Sequence, residues 1–464
     1  MNNENINKSS FSKSFLKGET SFGFWNILSK LMGFVASIIV IKYITLYEYG
    51  VYQLVLAFGG LVGTFFLKLL TDVSLNDIIR FVGEKKENFA KKLFQQYAFF
   101  KLSIGVVSFL IVFFGAGIIS TYYDENIAGL FRLVSFLILI DSIYNVMKIV
   151  LEVRLKFNAI ASRPVVYQFL RITLVIATLL LFGLNVEKIL IVNVIASALA
   201  TVIFIPLFLK NYNIWKNVDK EKENVLLSIV KKHGKWSLMR PAIAGIPNNI
   251  QPWLIKIFVG TEAVGIFNLA SMLFATIKSF LPLNTLTYLI PLEISNKKRS
   301  QKIFSYSIKY ITIFSILLSI VSFVGGFLFI GAILPKYVES LPLFYIMLLS
   351  IPISGFGSVM VSFLIAMRKQ KYLFIQMISK MIFSTAMFLI LLPIFGLVGL
   401  AIEQILTTIF VFVLLLIYMR KVKVGLKIEP KILFSFNKED ISFIKNLYLD
   451  SKKYLKSRFL IIQR

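Results

Sequence analysis

Eleven basic residues fall inside stretches of this sequence that are otherwise apolar: Lys30, Lys68, Lys101, Arg132, Lys148, Arg171, Arg240, Lys256, Lys278, Lys309 and Lys380. A lysine or arginine at the centre of a bilayer costs about 2.5–3.5 kcal/mol on the insertion scale. Lys68, Lys148, Arg171, Lys309 and Arg240 lie within two turns of a segment end and can extend their charged heads to the interface. Lys278 and Lys380 sit near mid-segment and have no such escape. Acidic partners at depth are few, chiefly Asp141 and Glu403. The surplus of positive charge therefore needs a water-filled cavity or an anionic ligand. The chemistry it offers is charge-assisted hydrogen bonding to an anion. Nothing equivalent exists for bond-making. The chain has no cysteine, its one histidine (His233) stands among Lys231, Lys232 and Lys235 as a solvated residue, and no paired carboxylates or metal-ligand spacing occur. No G-x-x-x-x-G-K-[ST] loop is present to cradle a nucleotide's phosphates.

The elements that position these charges follow from composition. Of 464 residues, 57% are apolar and 16% charged, with mean hydropathy +0.80; a soluble domain carries about 25% charged residues. The chain reads as a polytopic membrane protein. Apolar runs of spanning length occur at about 22–42, 50–70, 93–120, 128–151, 165–183, 188–209, 236–259, 264–290, 303–333, 342–366, 372–393 and 397–419. The run from Phe22 to Ile44 is longer than a signal-peptide core and no A-x-A site follows it, so it is expected to remain as the first span. With the N-terminus inside, 37 Lys and Arg residues fall in inner segments and only Lys42, Lys188 and Lys336 in outer loops. That asymmetry places both termini in the cytoplasm. Most of the net charge of +28 is then a topology signal facing anionic lipid, and a nucleic-acid partner is not expected. The Asn- and Ser-rich start is expected to be disordered. After Lys438, Ile441, Ile444, Leu447, Tyr448 and Leu455 alternate with lysines at near-helical spacing, as in an amphipathic helix on the inner leaflet.

Polar residues at helical spacing mark faces within the spans. Asn26, Lys30, Gly33 and Ser37 share one face of the first helix; Gln53, Ala57, Gly60, Thr64 and Lys68 share one of the second; Asn268, Ser271, Ala275, Lys278 and Pro282 share one of the eighth. The seventh is polar and broken, from Arg240-Pro241 through Pro247-Asn248-Asn249 to Gln251-Pro252. Such backbone persists at membrane depth where it is buried in protein or lines water. Each stripe fits either a cavity wall or a helix-packing face.

An internal repeat selects the same helices. Lys42-Tyr-Ile-Thr-Leu-Tyr-Glu48-Tyr-Gly50-Val-Tyr52-Gln53-Leu54 is similar to Lys256-Ile-Phe-Val-Gly-Thr-Glu262-Ala-Val-Gly265-Ile-Phe267-Asn268-Leu269, with one residue inserted before the glycine. The separation corresponds to six helices. Two six-helix halves of equal orientation would be related by an axis along the membrane normal, with a central cleft opening alternately to either side.

Twelve helices in two halves, and the passage from Phe34 through Lys42-Tyr-Ile-Thr-Leu-Tyr-Glu-Tyr-Gly-Val-Tyr-Gln-Leu54, resemble the polysaccharide-transporter (oligosaccharide flippase) branch of the multidrug, oligosaccharidyl-lipid and polysaccharide exporter (MOP) superfamily. The resemblance implies an all-α integral membrane fold, MATE-like, of about 12 transmembrane helices in two six-helix lobes around a central cavity. The expected organisation is a cytoplasmic segment at 1–21, an N-lobe at 22–210, a cytoplasmic linker at 211–235, a C-lobe at 236–419 and a basic tail at 420–464. It further implies an undecaprenyl-diphosphate-linked oligosaccharide repeat unit as cargo, moved to the outer leaflet of a bacterial or archaeal cell membrane for surface polysaccharide assembly. Expected partners are that anionic lipid-linked oligosaccharide, membrane lipids, and polysaccharide polymerase or chain-length proteins.

The charges agree with such a cargo. Lys30, Arg240, Lys256 and Lys278 are expected to grip the diphosphate or acidic sugars, with Arg132 and Lys380 as secondary cavity charges. Asn26, Gln53, Asn248, Gln251 and Asn268 are the expected polar lining. Asp141 and Glu403 are candidates for proton or sodium coupling, a structural salt bridge being the alternative for Asp141; no other cofactor and no metal are expected. Three further readings stay open: a lipid-linked peptidoglycan-precursor flippase, a multidrug antiporter of the same superfamily, and a membrane polysaccharide polymerase or acyltransferase. Cationic drugs would be repelled by so basic a cleft, and an enzyme of the last kind would need a large outer loop or a buried histidine.

Overall fold

The computed structural model describes residues 24–67, 70–121, 127–218, 224–229, 246–281, 297–367 and 369–421, and among these every regular element is helical. The expectations for 1–21, for Lys68, His233 and Arg240, and for the tail after Lys421 lie outside the described residues. The helices are α1 Phe24–Tyr43, α2 Leu46–Leu67, α3 Thr71–Gly83, α4 Glu87–Thr121, α5 Ala128–Val153, α6 Phe157–Phe182, α7 Val186–Val202, α8 Ile205–Tyr212, α9 Ile246–Phe258, α10 Thr261–Lys278, α11 Lys297–Ile333, α12 Ser340–Leu348, α13 Ser350–Ala366 and α14 Gln370–Lys421.

Among the described residues, eight helices are long and apolar enough to cross a membrane, and α12 with α13 form a further span bent by 40°. At 52 residues, α14 would run about 78 Å if straight, well over twice the hydrocarbon thickness. It is broken at Gly396, whose φ of 55° and ψ of −140° leave the helical region. Two crossings therefore share this element, matching the apolar runs at 372–393 and 397–419. The first half has the same device between α6 and α7, where Gly183 has φ 68°. These two glycines stand 213 residues apart, so the repeat extends beyond the passage where sequence similarity is visible.

Local chemistry sets the helix ends. Thr45 and Glu48 form a capping box at the start of α2: the Thr45 backbone N–H donates to the Glu48 carboxylate at 2.9 Å and the Glu48 N–H donates to the Thr45 hydroxyl at 3.1 Å, which satisfies two otherwise orphaned donors. Asn185 caps α7 by accepting from the Lys188 N–H at 2.9 Å. Nearby in space, Lys336 donates from its ammonium to the carbonyls of Lys42, at 3.0 Å, and Ile44, complementing the carbonyl-rich end of α1.

The chain packs as two compact units. The first comprises Met1–Thr276, Gly325–Tyr345 and Thr385–Glu403; the second comprises Ile277–Val324, Ile346–Ser384 and Gln404–Arg464. Within the first, α4 lies along α5, α5 and α6 along α7, and α2 along α9. The repeated glycines meet there. A Cβ on Gly50 would run into the Thr261 carbonyl oxygen, and one on Gly265 would lie 2.8 Å from the Leu46 carbonyl oxygen. Each half's glycine thus admits the other half's helix start, a reciprocity expected of two-fold related elements.

The expected linker does not hang free over its described residues. Trp215 is fully buried in a cluster with Phe94, Tyr97 and Val150, donates its indole N–H to Glu87 and carries the Arg154 guanidinium 4.9 Å from its ring centroid. Lys91 donates to the Val218 carbonyl at 2.8 Å, and the Leu226 N–H to the Gln96 side chain at 2.9 Å.

Candidate functional site

The second unit contains a cavity of about 170 Å³ between three helical segments and the end of a fourth. Lys278, the last residue of α10, enters from one side. Ser354, Gly357 and Ser358 line it from α13, Gln376 and Lys380 from the first part of α14, and Gln404, Thr407, Thr408 and Phe412 from its second part. Helical geometry explains the grouping. Ser354/Ser358, Gln376/Lys380 and Gln404/Thr408 are each four residues apart, so each pair shares one face of its helix. Apolar residues Ile353, Val361, Val411 and Leu415 complete the wall, backed by a core containing Phe304, Met360 and Phe363.

Two ammonium groups share this space, and among its described lining residues there is no carboxylate. Lys278 is half-buried and Lys380 exposed; like charges close together raise each other's cost, and an anion held between them lowers it. The hydroxyl protons are already committed: Ser354 donates to the Ile351 carbonyl at 3.0 Å, Ser358 to Ser354 at 2.8 Å and Thr408 to Gln404 at 2.7 Å. These three groups therefore present acceptor lone pairs to the cavity. Phe412 is held edge-to-face by Phe356, with ring centroids 5.1 Å apart at 87°.

Of the six cations expected to grip a ligand, the structure brings Lys278 and Lys380 together. Lys30 is exposed on α1, as is Asn26. Lys256 is half-buried in the last turn of α9. Arg132 is exposed and lies 5.8 Å from the centroid of the Phe113 ring. Gln53 and Gln251 are half-buried; Asn248 is within α9 but its side chain lies outside the described residues. Asn268 donates to the Val264 carbonyl of its own helix at 2.8 Å. The stripe on α2 meets α9, with Gly60 against Asn249 and the Asn249 amide 3.5 Å from the Thr64 hydroxyl, so over these residues it packs helices. Glu403 is buried, 4% exposed, next to the cavity residue Gln404. Asp141 lies 3.8 Å from Arg163, and Lys148 pairs with Glu152 at 3.2 Å. Among the described residues, no group of three or more His, Asp or Glu is placed to hold a metal ion.

Sequence reasoning missed Arg163, which it placed in an inner loop beside Pro164. The residue lies inside α6, with its guanidinium 3.9 Å from the Tyr144 ring centroid and 3.3 Å from both the Ser197 and Thr201 hydroxyls. It also missed the serines, threonines and glutamines around Lys278 and Lys380. Their i, i+4 spacing on apolar helices was the available signal.

A family model described as "Polysaccharide biosynthesis protein" matches residues 15–292, more than half the chain. The chain belongs to that family. This polysaccharide biosynthesis protein is also similar in fold to solved transporters of the MOP superfamily. One is a multidrug resistance MATE family transporter in an inward-facing conformation, with TM-score 0.67 and 12% identity over 85% of this chain and 95% of that one. Another is the lipid II flippase MurJ in an inward closed conformation, with TM-score 0.61 and 15% identity over 92% of both chains. A third is a variant of the Vibrio cholerae MATE transporter VcmN, with TM-score 0.59 and 15% identity over 90% of this chain and 98% of that one. No curated protein matches the sequence. The chain is thus a multi-pass membrane protein, helical in every regular element of its described residues, with a fold similar to that of these transporters.

Proposed function

We propose that this protein is a flippase that moves an undecaprenyl-diphosphate-linked oligosaccharide repeat unit from the inner to the outer leaflet by alternating access. The observation that carries this reading is the cavity holding Lys278 and Lys380 with no carboxylate among its described lining. It suits an anionic headgroup and repels a cationic drug. Outward movement of negative charge across an inside-negative membrane is favourable by about 2.3 kcal/mol per charge per 100 mV, so the potential helps expel the headgroup while the lipid tail stays in the bilayer. Catalysis is not part of the reading.

The test is translocation in proteoliposomes, using a fluorescent undecaprenyl-diphosphate-linked saccharide and a cationic dye as alternative cargoes. Transport of the saccharide, steepened by an inside-negative potential, supports the flippase. Transport of the dye alone points to the multidrug antiporter. Orientation is accessible separately, because the cysteine-free chain allows single cysteines to be introduced at Lys188 and Lys216. Labelling of intact cells at the first and only of lysed cells at the second fits cytoplasmic termini.

A further inference from the structure

Arg171 stands in the middle of α6, only 7% exposed, and an arginine is almost never so buried unless it is paired. Among the described residues it forms no ion pair, and Asp141 of the adjoining α5 is directed to Arg163 at 3.8 Å. The groups close enough to act on its charge are three phenols, those of Tyr49 and Tyr52 on α2 and of Tyr167 on α6 itself. A phenol is ordinarily neutral; it orients its dipole toward a cation without cancelling the charge. The hydrogen bonds show the same imbalance. Arg171 Nη2 donates to the Tyr52 hydroxyl at 3.3 Å and Asn193 Nδ2 donates to the same oxygen at 2.9 Å, which fills both of its lone pairs. Arg171 Nε is buried with no partner, and so is Asn193 Oδ1, on a residue 3% exposed. Turning the Asn193 amide over would exchange its two ends and still leave Arg171 Nε spare. A guanidinium has five N–H donors and accepts nothing, so an acceptor from outside must complete it. Water would supply the acceptor without the charge; an anion supplies both.

The surroundings set the size of that anion. Val175, one turn along α6, and Val192 and Ala196, beside Asn193 on α7, are all buried. Apolar packing this close admits an ion of atomic dimensions and excludes a phosphorylated headgroup or a sugar. One guanidinium also calls for a single negative charge, since a second would be buried without a partner of its own. We infer that α2, α6 and α7 enclose a binding site for a small monovalent inorganic anion of the chloride class, held by Arg171 Nε beside Tyr52 and Asn193. The ion neutralises the buried guanidinium and ties three helices of the first unit together. The assignment is separate from the Lys278 and Lys380 cavity and rests on the packing of the first unit, not on the flippase reading.

The test is thermal unfolding of the purified full-length protein in detergent, at constant ionic strength, as chloride replaces gluconate, an anion too large for the site. The unfolding temperature should rise with chloride along a saturating curve, because a ligand that binds only the folded chain stabilises it by mass action. The chlorine NMR line of the same solutions should be broadened by the protein and narrowed again by added bromide. Arg171→Met should remove both effects. Asn193→Asp decides the matter where that variant does not fold, because it sets a fixed negative charge against the phenol oxygen that Arg171 also touches. In gluconate it should unfold near the temperature that the unaltered protein reaches in saturating chloride, with no further rise when chloride is added. The double variant Lys278→Gln, Lys380→Gln should keep the chloride dependence. Equal unfolding of the unaltered protein in chloride and gluconate, with an unbroadened line, would overturn the site. So would a chloride dependence that survives Asn193→Asp, or one that vanishes in the double lysine variant, since either places the ion elsewhere.

Discussion

The two halves of the chain set basic side chains in different surroundings at corresponding positions. With Gly183 and Gly396 as counterparts, Asp141, Tyr144 and Arg163 of α5 and α6 correspond to Ser354, Gly357 and Gln376 of α13 and α14. In the first half the Arg163 guanidinium lies 3.9 Å from the centroid of the Tyr144 ring and reaches the Ser197 and Thr201 hydroxyls. In the second half a glycine stands where the tyrosine stood and a glutamine where the arginine stood, and the same position is a cavity with two lysines. Deeper in the first unit, Arg171 and Asn193 both donate to the Tyr52 hydroxyl, at 3.3 and 2.9 Å. The contrast teaches which cations are structural. Guanidiniums set against tyrosines are held in place by protein, whereas the ammoniums of Lys278 and Lys380 line a cavity.

Breaking the first arrangement should cost folding, and breaking the second should cost transport. Tyr52→Phe removes the shared acceptor of two buried donors, and each stranded donor is worth about 1–3 kcal/mol. Its thermal unfolding in detergent should drop by the largest amount, with transport per folded molecule unchanged. Gly50→Ala drives a Cβ into the Thr261 carbonyl, an overpacking of about 1–3 kcal/mol. Gly357→Ala is its counterpart in the cavity, where the nearest atom is a leucine methyl of Leu415 at 3.6 Å, and its unfolding temperature should match the unaltered protein. The double variant Lys278→Gln, Lys380→Gln should lower saccharide translocation about tenfold, the loss of one charge-assisted contact, without lowering the unfolding temperature. A fall in stability instead would erase the distinction between the halves.

The smallest effect belongs to Lys336, outside the spans. Burial pushes its pKa down, an effect that Glu48 partly offsets. Its ammonium therefore releases its proton at lower pH when folded than when unfolded, and between those values the unfolded chain binds more protons. Stability due to this residue should rise with pH through that window. Lys336→Gln should flatten the rise, measured as unfolding temperature against pH on the alkaline side.

Much of the fold was legible before the structure. Long apolar runs force helices in a bilayer, and eleven stranded charges demanded explanation. The glycine pair was visible as a repeated motif, although only packing shows that Gly50 and Gly265 face each other's helix. The site was legible in part. Lys278 and Lys380 stood out because lysine at mid-span is costly, whereas serine, threonine and glutamine are cheap enough there to pass unnoticed until three helices bring them together. Arg163 was hidden by Pro164, which reads as a loop signal yet sits inside α6, where it removes one i→i−4 hydrogen bond.

The crossing at Gly50 and Gly265 also bears on ancestry. A contact in which each half offers the other the same glycine against the same carbonyl is the kind a symmetric dimer makes between identical chains. A dimer must duplicate every site it owns. Once both halves lie on one chain, their twin positions are free to diverge, and here one has become a filled arginine cluster and the other an open lysine cavity. Two halves on one chain can share the glycine crossing while only one of them encloses the lysine cavity.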